Sequence, residues 1–473
     1  MSQKNETPAL LLALLLTIGL IGGVAWWLTR GMTTQLLPGE QNTQTGVEPT
    51  LTGNRTPFSE RWSLGARSLA QSPSEDKLSG ITAIASQDYA AAVAALEAAL
   101  ENNRNDPEAL IYLNNARIGE QEAYTIAVSV PVATAPDPAL EILRGVAQAQ
   151  DEVNRRGGIA GVPLKVMIVS DDNDPTVSQN VANGLVKDES VLGVIGHFGS
   201  DATLAAGQIY EQGNLPMISP TSTSVQIANL GDYVFRTVPS DRFTATSLSR
   251  HLLSGLGQQN AAIYYNSTSS YSQSLKNEFV TALTSDGGQV VAEFDLSGSG
   301  FNALDTLRQA KAQGAEAIVL AANTDTLDAA LLVVAVNRQE LPILGGDSIY
   351  NPKTLQAVGD SAGNLVVAVP WILLSDPQST FVRTSASLWG GDVNWRTAMA
   401  YDAAQVFIAA MQQNPTRTGI QQVIDDPGFS TLGATGTIRF LPSGDRNQPM
   451  QLVTVEAGSR SGYGYDFVPL PVP

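Results

Sequence analysis

The chain has no cysteine and only two histidines, His197 and His251, among 473 residues. Without thiols there is no disulfide framework, no thiolate nucleophile and no Cys-ligated zinc or iron–sulfur centre, and the redox compartment stays open. Positive charge is also scarce: 27 Lys and Arg stand against 45 Asp and Glu, a formal net charge of -18. Nothing basic is clustered to neutralise phosphates, which argues against nucleic acid as a partner. With so few histidines, His-dependent catalysis reduces to His197, three residues ahead of Ser200. Ser200 lies in no G-x-S-x-G elbow, so His197 reads as a residue packed where a strand meets its loop. No cofactor or metal motif emerges either. Gly193-x-x-Gly196-x-x-Gly199 is not the dinucleotide G-x-G-x-x-G. Asp171-Asp172-Asn173-Asp174-Pro175 lacks the Gly and terminal Glu of a calcium loop and reads as a turn with Asp174 capping the next helix.

What the chain does have is apolar content, 43% of residues, enough for two or three domains with real cores. Residues 8–28 form an uncharged run of the length that crosses a bilayer, with Trp26 and Trp27 at its end. It predicts an uncleaved signal-anchor, the alternative being a cleaved signal peptide. The bulk of the chain would then be periplasmic or otherwise extracytoplasmic. Residues 29–75 are rich in Thr, Gln, Gly, Pro and Ser and read as a flexible tether. Between 76 and 120 two amphipathic helices are expected, joined at Asp106-Pro107, with Asp106 as cap and Pro107 in the first turn. This hairpin is similar to one tetratricopeptide repeat, and a lone repeat must pack on something else.

From Tyr124 onward strands and helices alternate, which predicts α/β lobes with parallel sheets covered by helices. The stretch Val191–Thr223 is the centre of that pattern. Val191–Ile195 is a buried strand ended by Gly196. Gly199-Ser200-Asp201 opens a helix, and a second strand near Met217 runs into Ser219-Pro220-Thr221-Ser222-Thr223. Hydroxyls at the carboxyl ends of parallel strands, beside a helix N-terminus, suit a small polar anion.

Several motifs occur together and in a particular order. They are Asn154-Arg155-Arg156-Gly157-Gly158-Ile159, Asp171-Asp172-Asn173-Asp174-Pro175, Val194-Ile195-Gly196-His197-Phe198-Gly199-Ser200, Ile218-Ser219-Pro220 and Pro239-Ser240-Asp241. In this order they resemble the solute-binding proteins of branched-chain amino-acid ABC transporters, the type I periplasmic binding fold. The resemblance covers about residues 122–458. It implies two Rossmann-like lobes with a hinge, lobe one at 123–241 and 370–437, lobe two at 242–369 and 438–458. It implies ligand-binding roles for Ser200, Thr221 and Thr223 at a carboxylate and ammonium, for Asp347 at the ammonium, for Tyr271 as a closing aromatic, and for Asp241 at the hinge. The partners it implies are a small amino acid or amide ligand and ABC permease subunits, with no catalysis. A sensory ectodomain of the same fold is the alternative. Asn323-Thr324-Asp325 looks more polar than an aliphatic side-chain pocket would want.

Overall fold

Runs such as Ala317-Ile318-Val319-Leu320-Ala321 and Leu365-Val366-Val367-Ala368-Val369 are buried at every position. A strand needs that composition when helices cover both faces of its sheet. The computed structural model describes residues 56–470. The expected membrane span at 8–28 lies outside them. Among the described residues no helix is long and apolar enough to cross a membrane.

Residues 56–75 are not the free tether that their composition suggested. Phe58–Arg61 form a helical turn (α1) and Trp62–Ser63 a short strand (β1) that pairs antiparallel with Ile168 and Val169. Arg61 Nη1 donates to Asp172 at 2.7 Å, and Phe58, Trp62 and Leu64 pack on the core around Val181 and Leu185. These contacts reach more than a hundred residues along the chain, so local composition carries no trace of them. The following stretch holds three helices rather than two: α2 (Glu75–Ala85), α3 (Tyr89–Asn102) and α4 (Pro107–Ile118). Asp106 caps α4 by accepting from Ala109 N at 2.9 Å, with Pro107 following. The extra helix is tied in by Lys77, nearly fully buried, whose Nζ meets Asp106 at 2.8 Å and Glu108 at 2.7 Å. This third helix departs from the two-helix repeat of the expectation.

Lobe one follows: β2 (Tyr124–Val130), α5 (Pro136–Arg155), β3 (Leu164–Ser170), α6 (Pro175–Lys187), β4 (Val191–Ile195), α7 (Ser200–Gln212), β5 (Met217–Ser219) and β6 (Val234–Arg236). The sheet order is β1-β3-β2-β4-β5-β6, parallel except at β1. Lobe two repeats the design: α8 (Asp241–Arg250), β7 (Asn260–Tyr265), α9 (Ser270–Ser285), β8 (Gln289–Asp295), α10 (Ala303–Ala312), β9 (Ala317–Ala321), α11 (Leu327–Asn337), β10 (Ile343–Gly345), α12 (Pro352–Val358) and β11 (Leu365–Val369). The chain then returns with α13 (Thr380–Trp389), α14 (Trp395–Met411), α15 (Arg417–Asp425) and the hairpin β12 (Thr431–Gly433) and β13 (Gly436–Ile438). Finally β14 (Gln451–Ala457) and β15 (Tyr465–Pro469) join lobe two's sheet, ordered β15-β14-β11-β10-β9-β7-β8. Lobe two thus runs past the expected end at 458, because β15 pairs antiparallel with β14 from Val453 to Ala457.

The returning helices belong to lobe one. Thr397 Oγ1 donates to the carbonyl of Glu141 on α5 at 2.9 Å, and Thr237 Oγ1 to that of Met399 at 2.8 Å. Where α14 crosses α5, Gly145 faces the Thr397 carbonyl so closely that a Cβ would collide with it. The chain therefore passes between the lobes three times, after β6, after β11 and after β13.

Candidate ligand site between the lobes

α7 begins at Ser200 and its N-cap residue is Gly199, which has no side chain to satisfy the first-turn N–H groups. Such groups have no partner inside a helix, so they are available to an anion. Gly199, Ser200 and Thr221 from lobe one, with Ser269, Tyr271 and Asp347 from lobe two, border a cavity of about 260 Å³. Two roomier hollows, of about 620 and 840 Å³, contain none of the six expected residues.

The structure brings four of the six together: Ser200, Thr221, Tyr271 and Asp347 all border this cavity. Ser200 is 3% exposed, and its Oγ accepts from Ser224 N at 3.3 Å. Thr221 Oγ1 donates to the Phe198 carbonyl at 2.8 Å, which turns its hydroxyl inward on lobe one. Tyr271 reaches from α9 and its hydroxyl donates to Asp347 Oδ1 at 3.0 Å. Asp347 Oδ2 is buried with no partner. Burial pushes the Asp347 carboxyl up to about 6, against the opposing pull of Arg396, the Tyr271 hydroxyl and the Ser348 N–H.

The other two stand behind the wall. Thr223 and Asp241 do not border the cavity. They touch each other, Asp241 N donating to the Thr223 carbonyl at 2.8 Å across the first crossing. Thr223 Oγ1 and both Asp241 carboxyl oxygens are fully enclosed and unbonded. Burial raises Asp241 to about 7 and the Asp347 charge adds to this, while the Ser274 and Thr223 hydroxyls nearby and Arg236 counter in part.

Sequence reasoning missed the aromatic and cationic side of the cavity. Trp395 and Arg396 open α14 and border it, with Asn394 Oδ1 capping the helix by accepting from Arg396 N at 3.0 Å. An Asn cap ahead of Trp-Arg was the only local signal. Asp201, expected only in the opening turn of a helix, spans the lobes. It accepts the Ser270 N–H at the start of α9, both oxygens at 3.2 Å, and the Ser270 hydroxyl as well. His197 is fully buried: Nδ1 meets Asp171 Oδ2 at 2.6 Å and Nε2 meets the Tyr210 hydroxyl at 3.1 Å. Ser129 joins the same cluster, its Oγ donating to Asp171 at 3.0 Å. Although Ser, His and Asp meet there, all three are sealed from solvent, so no substrate reaches the hydroxyl.

Two sheets whose five parallel strands follow the same order, three crossings and a polar cavity bounded by both halves define a two-lobed solute-binding protein. Residues 123–460 match the periplasmic binding protein family, and the chain belongs to it, in the type I branch of the Leu/Ile/Val transporter kind. It is 25% identical over 239 residues to a leucine-, isoleucine-, valine-, threonine- and alanine-binding protein of Pseudomonas aeruginosa, half of this chain and 63% of the relative. It is 24% identical to a leucine-specific-binding protein of Salmonella typhimurium, over 67% of this chain and 86% of that one. Against a second Pseudomonas aeruginosa relative, an amino acid binding protein, it spans 47% of the relative's length. Among solved structures, a substrate-binding protein of Desulfitobacterium hafniense in complex with Leu superposes with a TM-score of 0.62 at 25% identity, covering 73% of this chain and all of the other. A Rhodopseudomonas palustris solute-binding protein in complex with benzoate shares the fold at 16% identity and a TM-score of 0.64, over 74% of this chain and 95% of that one.

Proposed function

We propose that this chain is an extracytoplasmic solute-binding protein that captures a small amino acid or amide by lobe closure and delivers it to an ABC permease. One observation supports this above the rest: the cavity sets an uncapped helix N-terminus and the Ser200 hydroxyl on lobe one against a buried acid on lobe two. A zwitterion bridges such a pair, because each buried charge needs an opposite or hydrogen-bonding partner. Its carboxylate would meet Ser200 and the α7 N-terminus, and its ammonium would meet Thr221 and Asp347. Tyr271 closes over it from lobe two, and Thr223 and Asp241 support that wall from behind. A ligand that touches both lobes stabilises their closed arrangement by its extra contacts there. Residues 8–28 would hold the molecule to the membrane, with the bulk outside the cytoplasm.

Titration calorimetry of the full chain with a panel of amino acids, simple amides and urea is the test. Saturable binding heat from at least one supports the reading; silence from all of them ends it. A sensory ectodomain is the second reading. In its favour, α2–α4 lie outside the matched residues 123–460 yet pack on lobe one through Asn115, which donates to the Val166 carbonyl at 2.8 Å. Loss of solute uptake on deleting the gene favours delivery; intact uptake with a lost response to the solute favours sensing.

A further inference from the structure

Hydrocarbon borders the cavity at Pro175, Phe198, Tyr271 and Trp395, and lobe two adds the polar groups of Thr268, Asn323 and Asp325. Those groups largely satisfy one another. Asn266 Nδ2 donates to Asn323 Oδ1 at 2.9 Å, Asn323 Nδ2 to Asp325 Oδ2 at 3.0 Å, and Thr268 Oγ1 to Asn266 Oδ1 at 2.8 Å. Arg396 borders the same cavity and differs from them. It is 5% exposed, its guanidinium lies 4.5 Å from the Trp395 ring, and Nη1 donates to Glu141 at 3.0 Å. Its Nε is buried and bonds to nothing.

Two side chains bordering the cavity thus carry unmet hydrogen-bonding demand of opposite sense, an acceptor at Asp347 Oδ2 and a donor at Arg396 Nε. An amino acid's ammonium answers Asp347. Its α-carboxylate is taken up by the hydroxyls and N–H groups of lobe one, so Arg396 needs a second acceptor. Charge decides which kind. Glu141 already balances Arg396, and Asp201, Asp325 and Asp347 border the cavity, so an added negative charge would meet carboxylates on several sides. A neutral carboxamide avoids this: its carbonyl accepts from Arg396 while its NH2 donates toward Asp325.

Resting on the amino-acid reading above, we infer that Arg396 selects a ligand whose side chain ends in a carboxamide over hydrocarbon or carboxylate side chains of the same shape. The test uses matched sets on the full chain, asparagine, leucine and aspartate, then glutamine, methionine and glutamate. Each set holds shape nearly constant and varies only polarity and charge. In one set or the other, calorimetry is expected to show the carboxamide bound at least tenfold more tightly than both isosteres, the discrimination a buried polar site exerts on an analogue that leaves its donor unpaired. Arg396→Met, which keeps bulk and removes the donor, is expected to bring the hydrocarbon ligand level with the carboxamide. Asp325→Ala, at an exposed position, is expected to weaken the carboxamide about threefold and leave leucine and methionine unchanged, which tests the same wall should the Arg396 variant misfold. If neither asparagine nor glutamine outbinds both of its partners in the unaltered protein, the inference is overturned while the solute-binding reading stands. Absence of binding by any amino acid overturns both.

Discussion

Asp171 and Asp241 are both completely buried carboxylates in a chain with a large acid excess, and their surroundings are opposite. Asp171 accepts from Ser129 Oγ at 3.0 Å and from Asn173 N at 2.9 Å, and pairs with His197 Nδ1 at 2.6 Å. Asp241 has neither oxygen bonded. The first is a fastening: it gathers the ends of β2, β3 and β4 and sets the loop that carries Asn173 to the cavity. The second sits at the first crossing, behind the cavity wall, and burial, joined by the Asp347 charge, drives it toward the neutral acid against the pull of the Ser274 and Thr223 hydroxyls and Arg236. Equal burial therefore does not mean equal duty.

The sharpest way to break this contrast is Asp171→Ala, which removes the acceptor shared by Ser129, Asn173 and His197. We expect a loss of about 3–5 kcal/mol in urea unfolding, and a loss below about 1 kcal/mol would sink the frame role. Asp241→Asn should act in the other direction. The folded carboxyl titrates at about 7 and the unfolded one near 3.8, so between those values the folded chain holds its proton more tightly. Stability from this group is present at acid pH and is lost as pH rises toward 7. The asparagine variant should flatten that slope and gain on the order of 2–3 kcal/mol relative to the parent at pH 8, read from paired unfolding curves at pH 5 and 8.

Asp347→Asn follows in size. Loss of a charge-assisted bond to an ammonium should weaken amino-acid ligands by roughly 10- to 100-fold, and neutral amides far less. Because Asp347 titrates at about 6, affinity for ammonium ligands should fall with acid, approaching about tenfold per pH unit well below that value. A flat profile in the unaltered protein would remove Asp347 from the ammonium role. The smallest effect is expected from Arg61→Ala, which frees Asp172 beside the Asp171 cluster. About 1 kcal/mol of stability should go, together with faster hydrogen exchange at residues 171–175; unchanged exchange would mean that β1 does not brace this loop.

Much of the fold was legible because parallel strands covered on both sides must be apolar throughout, and because helix starts carry their caps. Val191–Ile195, Asp174 before Pro175 and Asp106 before Pro107 are each local signals of this kind. Ser200, Thr221, Tyr271 and Asp347 were reached through a resemblance of ordered motifs, and they do share one cavity. Trp395 and Arg396 were out of reach, since only the third dimension lays the start of α14 beside loops some 200 residues earlier. Thr223 and Asp241 do not border that cavity, a distinction of depth that spacing along a chain does not encode. The ordering of 56–75 depends on Arg61 and Phe58 finding distant partners, and β15 was missed because its pairing with β14 follows a loop of Gly, Ser and Tyr.

The short strand β1 and the buried face of α4 close the outer margin of lobe one's sheet: β1 pairs along β3, and Asn115 bonds the main chain of Val166 from both sides. A bare margin there would invite another copy to add itself strand to strand. Synthesis makes this cover before the sheet it shields, so each newly made molecule carries its own guard against stacking, and versions starting at residue 120 should aggregate more readily than the longer chain.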